Sequence, residues 1–155
     1  MKTPRIYIDT SVIGGCYDPE FEPWSNGLLN DVRQGLFIGI TSEIVAAEIG
    51  KAPLQVRKNY QEFLGHGAVV LPVTEDALTL VEAYQKHGIL PGKFMNDMLH
   101  IAIAVVADVD ILASWNFKHI VRYDKIMSFN AVNLELGYKT LAIHSPREVT
   151  RHEKN

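Results

Sequence analysis

Three acids sit where the surrounding residues are apolar: Asp9, Glu48 and Asp97. Asp9 closes the run Ile6-Tyr7-Ile8. Glu48 lies inside Ile44-Val45-Ala46-Ala47-Glu48-Ile49. Asp97 precedes Met98-Leu99-His100-Ile101-Ala102-Ile103-Ala104-Val105-Val106-Ala107. Burying an unpaired charge is costly, so acids in such places need a compensating partner. Three carboxylates far apart in sequence but alike in setting point to one shared site. The ligand that best stabilises grouped carboxylates is a hard divalent cation, Mg²⁺ or Mn²⁺. The chemistry such a set performs is metal-assisted hydrolysis, of which phosphodiester cleavage is the expected case.

Each acid also has a plainer reading. Asp9 could cap a helix after a strand, although Thr10 and Ser11 could do the same. Glu48 shares its helix with Glu43. Five positions turn a helix by about 500°, which leaves the two side chains about 140° apart, so only one can face the site. Glu43 falls in the first turn, where it favours the helix dipole, and Glu48 is the one assigned to the site. Asp97 opens a buried helix, where Asn96 could also serve as the cap. His100, three positions on, shares a face with Asp97 and is expected to orient it from behind. Asn116, after Trp115, offers an amide oxygen to a cation but brings no charge. It could equally hold the turn before Phe117-Lys118-His119.

Other site types are absent from the sequence. Gly14-Gly15 and Gly88 match neither phosphate-loop pattern. A single cysteine, Cys16, and six histidines show no zinc spacing. No serine occupies a Gly-x-Ser-x-Gly turn.

The elements that must carry these residues alternate between strand and helix. Ile6–Asp9 reads as a buried strand. A helix opens at Pro23-Trp24-Ser25-Asn26 and ends before Gly35. Leu36–Ile40 is the second strand. Thr41 or Ser42 caps the helix bearing Glu48. Pro53 starts a helix that runs to Leu64. Ala68–Leu71 is a third strand, and Thr74 caps a helix ending at Gly88. After the Pro91-Gly92 loop, a helix spans about Asn96 to Ala107. Ile111–Ser114 is a fourth strand. Tyr123–Gly137 is a helix, Thr140–Ile143 a fifth strand, and Ser145-Pro146-Arg147-Glu148 a capping box. This alternation implies an α/β fold with a mostly parallel sheet covered on both faces. Sites in such sheets form beyond the carboxyl ends of the strands, where Asp9 and the Ser114-Trp115-Asn116 turn both fall.

The 155 residues suit one domain, 1–155, and 47% hydrophobic content suits a buried core. No apolar run is long enough to span a membrane. The longest, Ile101 to Val109, is broken at Asp108. The start lacks a secretory apolar stretch, and one cysteine excludes an intrachain disulfide, so a cytoplasmic location is expected. Net charge is −3. Residues 1–50 carry three bases and seven acids, whereas residues 115–155 carry seven bases and four acids. Lys118, His119, Arg122 and Lys125 fall within eight positions of one another, a group suited to phosphates or to a solvated face.

Four segments together resemble the PIN-domain ribonucleases, and among them the VapC-like toxins of bacterial toxin–antitoxin pairs. They are Ile6-Tyr7-Ile8-Asp9-Thr10-Ser11-Val12-Ile13, Thr41-Ser42-Glu43-Ile44-Val45-Ala46-Ala47-Glu48-Ile49, Asn96-Asp97-Met98-Leu99-His100-Ile101-Ala102-Ile103-Ala104, and Ile111-Leu112-Ala113-Ser114-Trp115-Asn116-Phe117-Lys118-His119-Ile120. The order and spacing agree over nearly the whole chain. The resemblance implies a three-layer α/β/α fold with a five-stranded, mainly parallel sheet. It implies an endoribonuclease dependent on Mg²⁺ or Mn²⁺, a homodimer, and a small antitoxin protein that blocks the site. One departure stands out: the family commonly has an aspartate where this chain has Asn116.

The expected mechanism is hydrolysis of RNA by a cation-activated water. Asp9, Glu48 and Asp97 hold the metal, Asn116 assists, and His100 supports them. Thr10, Ser11, Lys118, His119 and Arg122 meet the substrate. Tyr17, Phe21 or Trp24 could stack on a base, with core packing the expected role of Trp24. Two competing readings remain. One is a non-catalytic module that binds RNA or a protein, which Asn116 favours. The other is a small-molecule phosphohydrolase, which the absence of an Asp-x-Asp pattern at Asp9 disfavours.

Overall fold

The computed structural model describes residues 2–151. Its sheet has five strands, β1 (Arg5–Ile8), β2 (Ile38–Ser42), β3 (Val69–Leu71), β4 (Ile111–Ala113) and β5 (Ala142–His144), in the order β3-β2-β1-β4-β5. All neighbours pair in parallel. Parallel strands need crossovers, and helices supply them: α1 (Thr10–Gly15), α2 (Glu22–Arg33), α3 (Glu43–Ile49), α4 (Leu54–Gly65), α5 (Glu75–Lys86), α6 (Met95–Val106), α7 (Tyr123–Glu135) and α8 (Pro146–Val149). The fold is α/β, with helices on both faces of the sheet, as the sequence pattern predicts.

Register shows what each face carries. Ile6 pairs with Gly39 on one face, and Tyr7 pairs with Ile40 and Leu112 on the other. At Gly39 α2 and α4 press close on the sheet: a Cβ there would sit 2.8 Å from the Phe63 ring and 3.1 Å from Val32. The Tyr7 face meets α6. Ile6, Tyr7 and Ile8 are fully buried, as a central strand covered on both sides requires.

Several boundaries differ from the sequence reading. The second strand starts at Ile38, because Gly35 turns in the left-handed region and Leu36 N–H is spent on the Asp31 carbonyl. It runs on through Ser42, whose hydroxyl caps α3 by accepting from Val45 N–H at 3.3 Å. Thr41 is turned instead to the Tyr60 hydroxyl, 3.1 Å away. The fifth strand is shifted toward the Ser145 capping box, which forms as expected. Thr74 caps α5 at 3.1 Å. Helix α1 is absent from the sequence reading. Its Gly14-Gly15 pair has poor helical propensity, and it is set by its cap and by packing. Gly15 has no room for a side chain. A Cβ would lie 2.6 Å from Ser25 Oγ and 2.8 Å from Trp115 Nε1.

In this strand order the chain builds outward from β1 on one side, then returns to build on the other. The reversal falls between β1 and β4. That is where a crevice opens at the carboxyl ends of the strands.

Candidate functional site

Asp9 follows β1 at that crevice and is 4% exposed. It is the N-cap of α1, a role the sequence reading left open among three residues. Its Oδ1 accepts from Val12 N–H at 3.2 Å and from the Ser11 hydroxyl at 2.6 Å. Burial pushes its pKa up. The field of His100, the Ser11 and Ser114 hydroxyls and Val12 N–H pull the other way without cancelling the shift. Asp9 makes no ion pair among the described residues.

Glu48, on α3, is half-buried. Its Oε1 accepts from the Thr10 hydroxyl at 2.5 Å and from His100 Nε2 at 3.0 Å, and its Oε2 from the Asn96 amide at 3.2 Å. Burial alone would raise its pKa, but the His100, Thr10 and Asn96 contacts outweigh that and hold it at about 2. His100 therefore supports Glu48, and not Asp97 as its place on the helix suggested. The reason is the strand beneath it. The Tyr7 hydroxyl stands 2.7 Å from His100 Nδ1 and 2.7 Å from Ser42 Oγ, which fixes the imidazole over the sheet. Asn96 is likewise no helix cap, since it is spent on Glu48.

Asp97, one turn earlier on α6, meets the segment after β4. Its Oδ2 accepts from His119 Nδ1 at 2.8 Å. The His119 ring packs on Phe94 with centroids 4.0 Å apart. Asn116 holds that segment, its Oδ1 accepting from His119 N–H at 2.9 Å and its own N–H donating to Ser114 Oγ at 3.0 Å. Trp115 N–H donates to Ser11 Oγ at 2.9 Å, which ties the turn after β4 to the cap after β1.

The sequence-assigned residues thus gather at one end of the sheet, linked by hydrogen bonds through Thr10, Ser11, His100 and His119. Thr10, Ser11 and His119, expected to meet substrate, are engaged in positioning carboxylates. Among the described residues no three His, Cys, Asp or Glu side chains form a group able to hold a metal ion. Glu48 and Asp97 each turn an oxygen to a histidine. In kind, the donor set suits a hard cation, and the buried Asp9 carboxyl makes no ion pair among the described residues. In arrangement, Glu48 and Asp97 each have one oxygen engaged by a histidine and a second oxygen that the histidine does not hold.

Beside Asp97 lies a cavity of about 340 Å³, lined by Lys93, Phe94, Lys118, His119, Arg122 and Lys125 among others. Lys118 and Arg122 are exposed, with Arg122 paired to Asp124 at 2.8 Å. Lys125 donates to the Ile89 carbonyl at 2.7 Å. Lys93, from the loop before α6, was not among the sequence candidates. Only its convergence with 118–125 in space makes it one.

The fold is matched among solved structures. This chain is similar to a chain of the crystal structure of VapBC2 from Rickettsia felis bound to a DNA fragment from their promoter, with a TM-score of 0.58 over 90% of this chain and 98% of that one. The fold is PIN-like. Sequence identity is 15%, so the likeness is one of architecture. No protein-family model matches the chain, and no curated protein matches it in sequence. Among the described residues no helix is long and apolar enough to cross a membrane.

Proposed function

We propose that this PIN-like domain hydrolyses RNA phosphodiester bonds with the aid of Mg²⁺ or Mn²⁺. The observation that carries the reading is the shared residue His119. It holds Asp97 of the acid site and lines the basic cavity, so acids suited to hydrolysis adjoin cations suited to a polyanion. Lys118 and Arg122, with Lys93, draw the backbone in by charge and position it. Asp9, Glu48 and Asp97 are the residues that would hold a divalent ion, with Asn116 fixing the turn beside them. When bound there, such an ion supplies Lewis-acid stabilisation of charge on the phosphoryl oxygens. The likeness to the VapBC2 structure supports, as part of this proposal, a toxin role with a small antitoxin partner. Homodimer formation is proposed on the sequence resemblance alone.

The test is cleavage of a mixed single-stranded RNA pool with Mg²⁺, with Mn²⁺ and with EDTA, comparing wild type with Asp97→Asn. Metal-dependent cutting lost in the variant supports the reading. Absence of cutting with either metal refutes it. A second reading, a PIN-like module that binds RNA or a protein without cutting, is favoured by the tied carboxylates and by Asn116. It expects wild type and Asp97→Asn to bind RNA equally and to cleave none. The toxin role is separately read from growth on induced expression, which wild type arrests and Asp9→Asn does not.

A further inference from the structure

The segment after β4 separates two cavities. Lys118 and His119 line the basic one. Phe117, one residue earlier, lines a second of about 290 Å³ together with Phe21, Trp24, Trp115 and Arg147. The walls of this second cavity are largely aromatic, and Glu20 and Ser145 complete them. Phe21 stacks on Trp115 with centroids 4.2 Å apart and planes 18° apart. Trp24 and Phe117 meet the same indole edge-on, at 6.3 and 6.1 Å. The Arg147 guanidinium lies over the Trp24 ring, 4.8 Å from its centroid. Phe117 is 51% exposed, so an apolar ring is left in water at the mouth of the cavity. Trp24 Nε1 is buried and has no hydrogen-bond partner among the described residues, a condition that indole N–H groups ordinarily avoid.

These features select an occupant. A flat heterocycle offers π faces to the Phe117 and Phe21 rings and edge acceptors to the Arg147 guanidinium. The volume lies at the low end for ligand pockets, which suits one base and not a run of nucleotides. The phosphate-attracting cavity lies just across the turn, so one strand can place a base on the Phe117 side and its backbone on the Lys118 side. A base inside a duplex keeps its faces covered, whereas an unpaired one is free to enter.

We propose that the cavity of Phe21, Trp24, Trp115, Phe117 and Arg147 docks one unstacked base of single-stranded RNA beside the bond presented to the acid site. The proposal rests on the nuclease reading for its substrate, but its binding step is measurable without catalysis.

Both tryptophans of the chain line this cavity, so indole fluorescence reports on it directly. The experiment titrates the protein in EDTA with a short single-stranded RNA, then with the same RNA made abasic at each position in turn. Saturable quenching is expected. Phe117→Ala, at an exposed position, weakens it about tenfold, the loss of one base–aromatic stack. Phe117→Tyr, which keeps the ring, restores it, and one abasic position weakens it as much as Phe117→Ala does. Equal affinities for wild type and Phe117→Ala, or for every abasic RNA, overturn the proposal. So does RNA that leaves the indoles unquenched, an outcome that would assign the aromatic surface to a protein partner. Quenching that depends on Phe117 in a protein unable to cut RNA with Mg²⁺ or Mn²⁺ upholds the base site and removes the nuclease reading. Cutting without Phe117-dependent quenching does the reverse.

Discussion

Replacing Tyr7 with phenylalanine removes one oxygen atom from the centre of the molecule and tests the scaffold behind Glu48. The ring stays in place, so packing is preserved. What goes is a hydroxyl that touches Ser42 Oγ and His100 Nδ1, each at 2.7 Å, in a setting with no solvent exposure. Ser42 keeps its bond from Val45 N–H, so its loss is small. His100 is 3% exposed, and its Nδ1 is left without a partner. An unsatisfied buried group costs about 1–3 kcal/mol, and a lost hydrogen bond about 0.5–1.5 kcal/mol. Taken together the variant is expected to lose about 2–3 kcal/mol. For a chain of this size that lowers Tm by roughly 4–12 °C. Thermal unfolding followed by circular dichroism measures it, with exposed Tyr17→Phe as the control that leaves Tm unchanged. A Tyr7→Phe protein that melts with wild type would refute the argument that this hydroxyl anchors His100.

Three further outcomes are expected. Gly15→Ala forces a Cβ against Ser25 and the Trp115 indole. Overpacking of about 1–3 kcal/mol outweighs the ~1 kcal/mol gain in helix propensity, so calorimetry should show a lower Tm, and an unchanged or higher Tm would exclude so close an approach. Asp9→Asn should abolish RNA cleavage and raise Tm at neutral pH, because Asn caps as well as Asp and carries no buried charge. The pKa of Asp9 is raised in the fold, so its ionised form costs stability above that pKa and the cost fades on acidification; the Tm gain should shrink in acid, and a gain independent of pH would contradict this. Glu48 is the opposite case. Its pKa falls from an ordinary 4.5 to about 2, so its contribution is complete above the ordinary value and lost as pH drops through about 2. Glu48→Gln should flatten that part of the stability profile measured by chemical denaturation, and an unaltered slope would argue against the His100 contact.

The sequence showed the strands and most helices because buried parallel strands are apolar without alternation, and because Ser42, Thr74 and Ser145 are cap residues in the right places. The strand pattern put Asp9 and Asn116 at strand ends, and the apolar settings of Glu48 and Asp97 grouped those two with Asp9. The partners of those acids were not legible. Tyr7 reads as core in Ile6-Tyr7-Ile8, although a buried phenol needs a polar partner and that need was a signal. His100 and Asp97 are neighbours on a helix, yet His100 meets Tyr7 of β1 and Glu48, whereas Asp97 meets His119 after β4. His119 looked like a phosphate contact because its own segment is basic. Its bond to Asp97 crosses 22 positions and depends on how α6 meets the turn after β4. Helix α1 has no clear sequence signature, because it contains two glycines and is held in place by the Asp9 cap and the Trp115 packing.

The middle of the sheet has a consequence for how the protein comes into being. Arg5 and Asp110 bond across 105 positions, and β1 cannot gain its second neighbour before β4 has emerged from the ribosome. At about 5–20 residues per second, the wait from the end of β2 to the end of β4 leaves the first strand half-partnered for roughly 4–14 s during synthesis. Until then Asp9 and Glu48 exist on a growing polypeptide, but the turn that braces Asp97 does not. The acid group and its brace therefore come together only when translation is well past the middle of the chain. The order of the strands is then a timer as well as a scaffold.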